Sequence, residues 1–241
     1  MQLYFIRHAQ SQNNALWIET GSSDGRSADP SLSEYGLVQA KLLARYLSTA
    51  VPTIPQEAGN NKIQTGFGIT HVYTSLMVRA LHTGSLLAEA LKLPLVGWKD
   101  LHECGGVYEQ NLETGERVDL PGYGRSYLQK LFPNLVLPDS IDDTGWWNRP
   151  FEEREECLLR AQRFLEELLA RHGGTEDRVA VISHFGFYNS FIKALLKIPE
   201  TCKMRFVMNN TGITRIDFDE ELARLVYANR NDFLPLDYVS R

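Results

Sequence analysis

The sequence contains little cysteine, with three residues among 241, and these are Cys104, Cys157 and Cys202. Their odd number and wide spacing indicate neither a disulfide framework nor a zinc site. No apolar run approaches the roughly 18 residues that a membrane-spanning helix needs. The chain enters an apolar run at Leu3, without the basic stretch and cleavage site of a secretory signal peptide. These absences predict a cytoplasmic protein that has no membrane contact.

Positive charge is also scarce, because 25 Lys and Arg against 30 Asp and Glu leave a net charge of −5 at pH 7. Proteins that bind nucleic acid usually carry a clustered basic face, so the sequence predicts no nucleic-acid partner. An anionic substrate is still compatible with this composition, since a local positive site can attract it. Nothing in the sequence indicates an oligomeric state.

Apolar runs and helical periodicity alternate along most of the chain. This alternation predicts an α/β fold in three layers, with a mostly parallel central sheet and helices on both faces. The final segment resembles a hairpin. We predict strands at 3–6, 69–75, 93–98 and 178–184, helices at about 31–48, 75–91, 151–171 and 185–197, a loop at about 50–68, and a hairpin at 211–229. The first two helices have caps at Ser31 or Ser33 and at Ser75.

Residues 104–150 show no clear helical or strand period. A connection of this length is unusual in a compact domain and suggests a functional insertion. We therefore predict a single domain over residues 1–241, with a cap-like insertion at about 104–150 that lies over the carboxyl edge of the sheet. Its aromatic residues either form a small core under a long loop or shape a substrate pocket. They include Tyr108, Tyr123, Tyr127, Phe132, Trp146 and Trp147.

Two of the apolar runs end in histidine, LYFIRH at 3–8 and VAVISH at 179–184. If these strands are parallel neighbours, His8 and His184 emerge side by side at the carboxyl edge, where α/β proteins bind ligands. The strand at 69–75 leads into a helix whose first turn holds Arg79, where the helix N-terminus favours an anion. Arg7 and Glu103 also follow strands. All five side chains are therefore predicted to lie at one edge of the sheet.

This set of side chains suits phosphoryl transfer. Two guanidinium groups can bind the oxygens of a tetrahedral oxyanion bidentately, and a phosphoryl group carries roughly −1.5 to −2 charge at neutral pH. An imidazole is a competent nucleophile toward phosphorus, and a nearby carboxylic acid can protonate the leaving oxygen. No cluster of Asp, Glu and His has the spacing of metal ligands, so the sequence predicts neither a metal ion nor another cofactor.

Five segments of the chain resemble the histidine phosphatase superfamily, whose fold is that of cofactor-dependent phosphoglycerate mutase. A single Arg-His dipeptide has no diagnostic value, but the order and spacing of all five segments agree with the family. The segments are RHAQSQNN at 7–14, DPSLSEYGLVQA at 29–40, SLMVRALHT at 75–83, LHECGG at 101–106 and VISHFG at 181–186. The resemblance covers nearly the whole chain.

The resemblance implies a role for each residue at the predicted edge. It makes His8 the nucleophile that becomes phosphorylated, and it makes Glu103 the proton donor. Arg7, Arg79 and His184 form the phosphate pocket and also act in catalysis.

Three further residues are implied as substrate ligands. Asn14 falls at the position of the family's phosphate-contacting asparagine, and Ser11 joins it. Phe185 replaces a common glycine, so its side chain narrows the pocket while its backbone N–H can still face the phosphate. His102 adjoins Glu103 and is an alternative donor of the proton.

The implied activity is hydrolysis of a small phosphomonoester by a metal-independent phosphatase, through a phosphohistidine intermediate. A cofactor-dependent phosphoglycerate mutase is the alternative. Mutases carry HGN after the second histidine, whereas this chain has HFGF, with Phe187 where the mutase asparagine is expected. Arg117, Arg125 and Arg149 in the insertion are able to compensate for that loss. A non-catalytic binding protein on the same fold is a third interpretation, against which the retention of all five edge residues counts.

Overall fold

The computed structural model describes residues 1–49, 67–199 and 201–240. Its helices are α1 (Gln12–Thr20), α2 (Glu34–Thr49), α3 (Val78–Leu91), α4 (Arg125–Leu131), α5 (Arg154–His172) and α6 (Phe185–Leu196). Its strands are β1 (Gln2–Arg7), β2 (His71–Thr74), β3 (Leu95–Gly97), β4 (Tyr108–Gln110), β5 (Arg117–Asp119), β6 (Leu135–Val136), β7 (Arg178–Ser183), β8 (Ile213–Phe218) and β9 (Ala223–Arg230). The loop predicted at 50–68 lies outside the described residues except at its last two positions. In these three described ranges, no helix combines the length and the apolar character needed to cross a membrane.

Seven strands form the central sheet, in the order β6-β3-β2-β7-β1-β8-β9. The first five strands in this order are mutually parallel, and β8 and β9 run antiparallel at one side. The predicted mostly parallel sheet and the terminal hairpin are therefore confirmed. Strand β1 is a central strand, since it lies between β7 and β8. Its parallel pairing with β7 places Arg7 opposite Ser183.

Successive residues of β1 enter two different cores, because side chains on a strand alternate between the faces of the sheet. Tyr4 and Ile6 belong to the core that α2 and α3 cover. Leu3 and Phe5 belong to the core that α5 and α6 cover. The helices of each pair also pack against one another. This arrangement confirms three layers with helices on both faces.

Two helix starts differ from the sequence prediction. Helix α3 begins at Val78 rather than at a Ser75 cap, because the Ser75 hydroxyl accepts the Met77 N–H at 3.2 Å within the preceding turn. Helix α1 was not predicted, since it buries none of its residues and so has no apolar stripe. A cap at Ser11 and a left-handed Gly21 with φ of 65° define its two ends instead.

The insertion is partly built into the main fold. Strands β4 and β5 form a separate hairpin, whereas β6 pairs with β3 and extends the central sheet. Trp146 and Trp147 are fully buried in the core beneath α2 and α3. Gly106, at φ of 82°, lets the chain pass Trp147, since a Cβ there would lie 2.0 Å from the indole. The two tryptophans thus belong to the main core and not to a separate one under a loop.

A disulfide joins Cys104 to Cys157, with 5.6 Å between their Cα atoms. The expectation that the cysteines form no disulfide is therefore wrong. The fold brings the residue after Glu103 against the first turn of α5, a contact that a sequence separation of 53 does not reveal. Disulfides are typical of oxidising compartments, so this bond counts against the predicted cytoplasmic location. Cys202 is a free thiol.

Reduction of this disulfide is expected to lower the free energy of unfolding by about 2–5 kcal/mol, because the bond limits the freedom of the unfolded chain. Urea unfolding with and without dithiothreitol measures the difference. The stability of Cys157→Ala should not respond to the reductant, whereas Cys202→Ala should respond as the unmodified protein does. Equal stability of the unmodified protein in both conditions would contradict the bond.

Candidate active site

The carboxyl ends of β1 and β7 place two histidines next to each other. His8 and His184 each follow the last residue of their strand, and their ring centroids lie 5.1 Å apart. The backbone N–H of His8 donates to the carbonyl of Ser183 at 2.9 Å, which ties the two strand ends together. Both imidazoles are buried. The parallel neighbours expected from the sequence therefore bring both rings to one site.

Two hydrogen bonds define the tautomer of His8. Its Nδ1 lies 2.7 Å from the carbonyl oxygen of Ala9, and a carbonyl only accepts, so Nδ1 carries the proton. The Arg79 Nε–H donates to His8 Nε2 at 3.2 Å, which requires a lone pair on that nitrogen. Burial, then the charges of Arg79 and Arg7, hold the His8 pKa well below its usual value. The neutral ring thus presents an unprotonated Nε2 to the site at neutral pH.

Two buried guanidinium groups flank these rings. Arg7 donates through Nη1 to the carbonyl of Met208 at 2.7 Å, while its buried Nε has no hydrogen-bond partner in the described part of the chain. Burial lowers the Arg7 pKa to about 10, and the charge of Glu103 opposes this shift. Arg79 occupies the first turn of α3, as predicted, and pairs with Asp29 at 3.5 Å. Both arginines keep their charge at neutral pH and provide the local positive site.

His184 uses one ring nitrogen and leaves the other open. Its Nε2 lies 2.8 Å from the Ser75 hydroxyl, whereas its buried Nδ1 has no hydrogen-bond partner among the described residues. Burial lowers its pKa well below the usual value, and Arg79 and His8 act in the same direction. A neutral imidazole with one open nitrogen therefore faces the same buried region as His8.

The Glu103 carboxylate lies at the N-terminus of α6, where it accepts three backbone N–H groups. The donors are Cys104 at 2.9 Å, Phe187 at 3.0 Å and Gly186 at 3.2 Å. A Cβ at Gly186 would lie 2.5 Å from Glu103 Oε1, so a side chain there would displace the carboxylate from its present position. The carboxylate opposes the effect of burial on the pKa of both Arg7 and Arg79. Glu103 is thus held in place by the backbone, and its charge acts on both cations without an ion pair to either in the described ranges.

His102 has no ring nitrogen available for proton transfer. Its Nδ1 lies 2.8 Å from the carbonyl oxygen of Glu103, and its Nε2 lies 3.1 Å from Nη2 of Arg149. The ring packs edge-on against Trp147 at 4.6 Å. Burial holds its pKa well below the usual value. Both ring nitrogens of His102 are therefore engaged by neighbouring groups, which counts against His102 as an alternative proton donor.

Ser11 and Asn14 form a reciprocal cap at the start of α1. The Ser11 hydroxyl donates to Asn14 Oδ1 at 3.0 Å and accepts the Asn14 N–H at 3.2 Å. The Asn14 Oδ1 also accepts from Asn210 Nδ2 at 3.3 Å. These bonds orient the Asn14 amide and leave its Nδ2 without an acceptor in the described ranges. Asn14 therefore keeps a donor for a ligand, whereas the Ser11 hydroxyl is occupied as a cap.

Phe185 is the first residue of α6, directly after His184. Its half-buried ring centroid lies 5.5 Å from the guanidinium carbon of Arg7. The ring therefore lies at the border of the site that Arg7 and Arg79 form, called the arginine site below. This is the position expected of a side chain that narrows the pocket.

Two residues of the site were not identified from the sequence. The Asp29 side chain is only 5% exposed, pairs with Arg79 and accepts the Val78 N–H at 3.0 Å. Burial raises the pKa of Asp29 to about 6, although Arg79 and that N–H oppose the shift. Asn210 is fully buried and donates to the carbonyl of His8 at 3.1 Å. Asp29 is the first residue of DPSLSEYGLVQA, one of the five segments that resemble the family, so the sequence did contain a signal for it. Nothing in the sequence around Asn210 indicated its contact with His8.

Two groups of side chains in the described ranges have the composition of metal ligands. Cys104, Glu152 and Cys157 form one group, but its two sulfurs are joined as a disulfide and offer no thiolate. The other group lies near the start of β2 and β7, at the opposite edge of the sheet from His8, and consists of His71, His172 and Asp177. His172 spends its ring nitrogens on Asp177 at 2.8 Å and Tyr73 at 3.1 Å. Neither group includes a residue predicted for the site.

Known structures share this fold. Phosphoserine phosphatase from Entamoeba histolytica, in complex with 3-phosphoglyceric acid, matches with a TM-score of 0.60 and 18% identity over 97% of this chain and 99% of that one. A structure of glucosyl-3-phosphoglycerate phosphatase from mycobacteria gives a TM-score of 0.58 and 20% identity over 95% of this chain and 99% of that one. At these identities the likeness concerns the fold alone.

Relatives by sequence carry the names of both phosphatases and mutases. "Putative phosphoserine phosphatase 2" of Hydrogenobacter thermophilus is 27% identical over 95% of both chains. "Probable phosphoglycerate mutase GpmB" of Yersinia pestis is 23% identical over 91% of this chain and 86% of its own. These names differ in reaction, so they do not decide between hydrolysis and mutase chemistry.

The fold and the edge residues define a class of α/β proteins in which two histidines and two arginines meet at the carboxyl end of a parallel sheet. The model of the histidine phosphatase superfamily, branch 1, matches residues 57–231, which is more than half of the chain. The chain therefore belongs to branch 1 of the histidine phosphatase superfamily. The matched range begins after β1, so the position of His8 rests on the strand pairing and its contacts.

Proposed function

We propose that this protein is a metal-independent phosphatase that hydrolyses a small phosphomonoester through a phosphohistidine at His8. The single observation that carries the proposal is the hydrogen bonding of His8. Its Nδ1 donates to the Ala9 carbonyl, and its Nε2 keeps a lone pair beside the charged Arg79. A neutral imidazole fixed in this tautomer can attack phosphorus once the Arg79 Nε–H, which now donates to that lone pair, donates to the phosphoryl oxygens instead. The cytoplasmic location remains a prediction, which the disulfide opposes.

In the first step of the proposed reaction, the lone pair of His8 Nε2 attacks phosphorus and the bond from phosphorus to the alcohol oxygen breaks. Glu103 has to carry a proton for this step, in place of the carboxylate that now accepts three backbone N–H groups. It transfers that proton to the leaving oxygen and becomes a carboxylate. Arg7 and Arg79 neutralise the charge on the phosphoryl oxygens. The open Nδ1 of His184 donates a hydrogen bond to one of those oxygens. This requires the tautomer with the proton on Nδ1, in which the Ser75 hydroxyl donates a hydrogen bond to Nε2. The alcohol then leaves.

In the second step, water attacks the phosphohistidine. Glu103, now a carboxylate, removes one proton from the water, and the bond from phosphorus to His8 Nε2 breaks. Inorganic phosphate is released, and the neutral imidazole and the protonated Glu103 are restored. Proton balance is complete over the two steps, and the two guanidinium groups supply the positive charge that a metal ion supplies in other phosphatases.

The surroundings of Phe187 favour hydrolysis over mutase chemistry. A mutase has to hold a carboxylate-bearing acceptor while it excludes water from the phosphohistidine. Counted from the histidine, the asparagine of HGN falls on Gly186, one residue before the position expected from the sequence, and Gly186 has no side chain. The fully buried ring of the next residue, Phe187, packs against Phe5 and Phe164. Its N–H is spent on Glu103. The Gly186 N–H also donates to Glu103, so neither Gly186 nor Phe187 offers a group to a substrate carboxylate.

Three arginines of the insertion could replace the missing mutase asparagine as ligands of a substrate carboxylate. Two of them already bind other groups of the protein. Arg125 donates its described hydrogen bonds to two backbone carbonyls of the insertion, each at 2.6 Å. Arg149 pairs with Glu152 and hydrogen-bonds to His102. Arg117 is the least engaged, since its closest side-chain contacts are an ion pair with Glu153 at 3.9 Å and a stack on the Phe151 ring at 3.9 Å. These contacts support the phosphatase over the mutase.

The two activities are separated by the fate of the phosphoryl group. With excess EDTA present, the protein is expected to release inorganic phosphate from at least one member of a panel of phosphomonoesters over many turnovers, because water accepts the phosphoryl group. With 3-phosphoglycerate and catalytic 2,3-bisphosphoglycerate, it should form negligible 2-phosphoglycerate. Mutase turnover of about 1–10³ per second with slow phosphate release would instead establish the mutase. Loss of hydrolysis on chelation, with recovery in magnesium or zinc, would contradict the metal-independent mechanism.

A further inference from the structure

A cavity of about 690 Å³ lies directly beside the candidate active site. Glu103 and Phe185 line it. The Phe185 ring lies against Arg7, and the charge of Glu103 acts on both arginines. From there the cavity follows one face of α6 for two turns, since Gly186, Ser190 and Lys193 recur at helical spacing along its wall. The leaving group of a phosphomonoester has to lie next to the residue that protonates its oxygen. If Glu103 is that residue, this cavity is where the alcohol part of the substrate extends.

The walls of the cavity are basic, although the chain as a whole carries a net charge of −5. Four of its described lining residues are cations, and one is a carboxylate. That carboxylate, Glu103, already accepts three backbone N–H groups. The cations come from the start of α5, from α6 and from the segment that follows α6, and they are Arg154, Lys193, Lys203 and Arg205. Such a concentration of one sign of charge in a concave site attracts an anion.

Hydrogen bonds hold the outer wall in place. The Asn189 side chain on α6 accepts the Phe206 N–H at 2.7 Å and donates to the Phe206 carbonyl at 3.2 Å and to the Phe185 carbonyl at 3.0 Å. This anchor fixes the end of the segment that carries Lys203 and Arg205. Both side chains belong to exposed residues, and neither forms an ion pair with another residue in the described ranges. The two charges are therefore presented to the cavity on a wall held against α6.

We propose that this cavity binds a second anionic group, and that the substrate is a phosphomonoester whose alcohol part carries a carboxylate or a second phosphate. This inference rests on the proposed phosphatase function, because Glu103 has to face the leaving oxygen. Phe185 stands between Arg7 and the cavity and separates the site for the phosphoryl group from the site for the second anion. Lys203 and Arg205 are specificity-determining residues in this arrangement and take no part in the bond-breaking steps.

A matched pair of esters tests this arrangement, namely butyl phosphate and 4-phosphooxybutanoate, which differ in the terminal carboxylate. The unmodified protein should favour the carboxylated ester. The double variant Lys203→Gln/Arg205→Gln should lose about tenfold in kcat/KM on that ester, equivalent to about 1.4 kcal/mol, mainly through KM. Its kcat/KM on butyl phosphate should stay within about twofold, since screened surface charges have small effects where no partner is bound. The control variant Lys41→Gln/Arg45→Gln, with the same change of charge on the exposed side of α2, should match the unmodified protein on both esters.

Equal kcat/KM losses on the two esters in the double variant, or no loss on either, would overturn the proposal. Addition of free succinate distinguishes the source of the anion. If succinate changes kcat on butyl phosphate only while Lys203 and Arg205 are present, and the two esters have equal KM, the cavity binds a separate effector and the substrate assignment is overturned.

If the protein is not a phosphatase, the two esters will give a different set of results. The protein would then hydrolyse neither ester, and titration calorimetry would replace the kinetic readout. Tighter binding of 4-phosphooxybutanoate than of butyl phosphate, lost in the double variant and kept in the control, would support the anion site without the phosphatase. Equal binding of the two esters to all three proteins would overturn the anion site as well.

Discussion

Replacement of His8 with alanine is expected to reduce phosphate release by roughly 10⁶-fold, the scale of loss seen when an enzyme loses its nucleophile. The arginine site should survive this change, because Arg7 is also held by the Met208 carbonyl and Arg79 by Asp29. The variant should therefore still bind a phosphomonoester while it fails to transfer the phosphoryl group. A large loss of kcat with a nearly unchanged dissociation constant for the substrate is the expected signature.

Acid-quenched labelling provides the direct measurement. Brief mixing of the unmodified protein with a radiolabelled phosphomonoester should leave acid-labile phosphate on the chain, and His8→Ala should carry none. His71→Ala is a suitable control, because His71 lies at the opposite edge of the sheet and should be labelled normally. Persistent label in His8→Ala, or label that resists acid as phosphoserine does, would refute His8 as the nucleophile.

The second large effect is expected at Glu103 and depends on the leaving group. An alkyl alkoxide needs a proton when it leaves, whereas p-nitrophenolate leaves almost unaided. Loss of a general acid typically costs roughly 10²–10⁴-fold, so Glu103→Gln should lose about that much on an alkyl phosphate and far less on p-nitrophenyl phosphate. Steady-state kcat/KM on the two substrates measures the difference. Burst kinetics on p-nitrophenyl phosphate would then report whether release of phosphate from the phosphohistidine has also slowed.

The contacts of Glu103 show why a control variant is needed for Glu103→Gln. A glutamine at position 103 would place an NH₂ group among the three backbone N–H donors that now bind the carboxylate. Any rotation of the side chain that this causes would lower activity on both substrates by the same factor, whereas loss of the general acid lowers activity mainly on the alkyl phosphate. Glu109→Gln, an exposed change of the same kind in β4, should leave both substrates unaffected. Equal losses on the two substrates in Glu103→Gln would assign Glu103 to positioning rather than to proton transfer.

The meeting of the site residues at one edge of the sheet could be predicted from short stretches of sequence. Each buried strand could be identified by its apolar run, and parallel strands in an α/β sheet end at the same edge. Arg7 and His8 therefore had to emerge beside His184 once β1 and β7 were neighbours. The first turn of α3 added Arg79 by the same reasoning. These placements depend on strand direction and helix phase, which are encoded within a few residues.

Helix α1 shows where such local signals fail. Its residues bury no apolar stripe, so periodicity carried no information about it. The cap at Ser11 and Asn14 became visible only with the backbone in place. The Ser75 hydroxyl likewise fitted a helix cap in the sequence but instead binds His184 across the sheet edge. Short polar side chains have several possible partners, and the fold selects among them.

The sequence alone was sufficient for the three-layer α/β fold, the family resemblance and the edge that carries His8 and His184, because these depend on apolar runs and short motifs. Tertiary structure was required for contacts between residues far apart in the chain. It paired Asp29 with Arg79 and joined Cys104 to Cys157. It also enclosed the basic cavity between α6 and the segment after it. Such contacts depend on how distant segments meet in the fold, and no periodicity or spacing in one segment records the position of another.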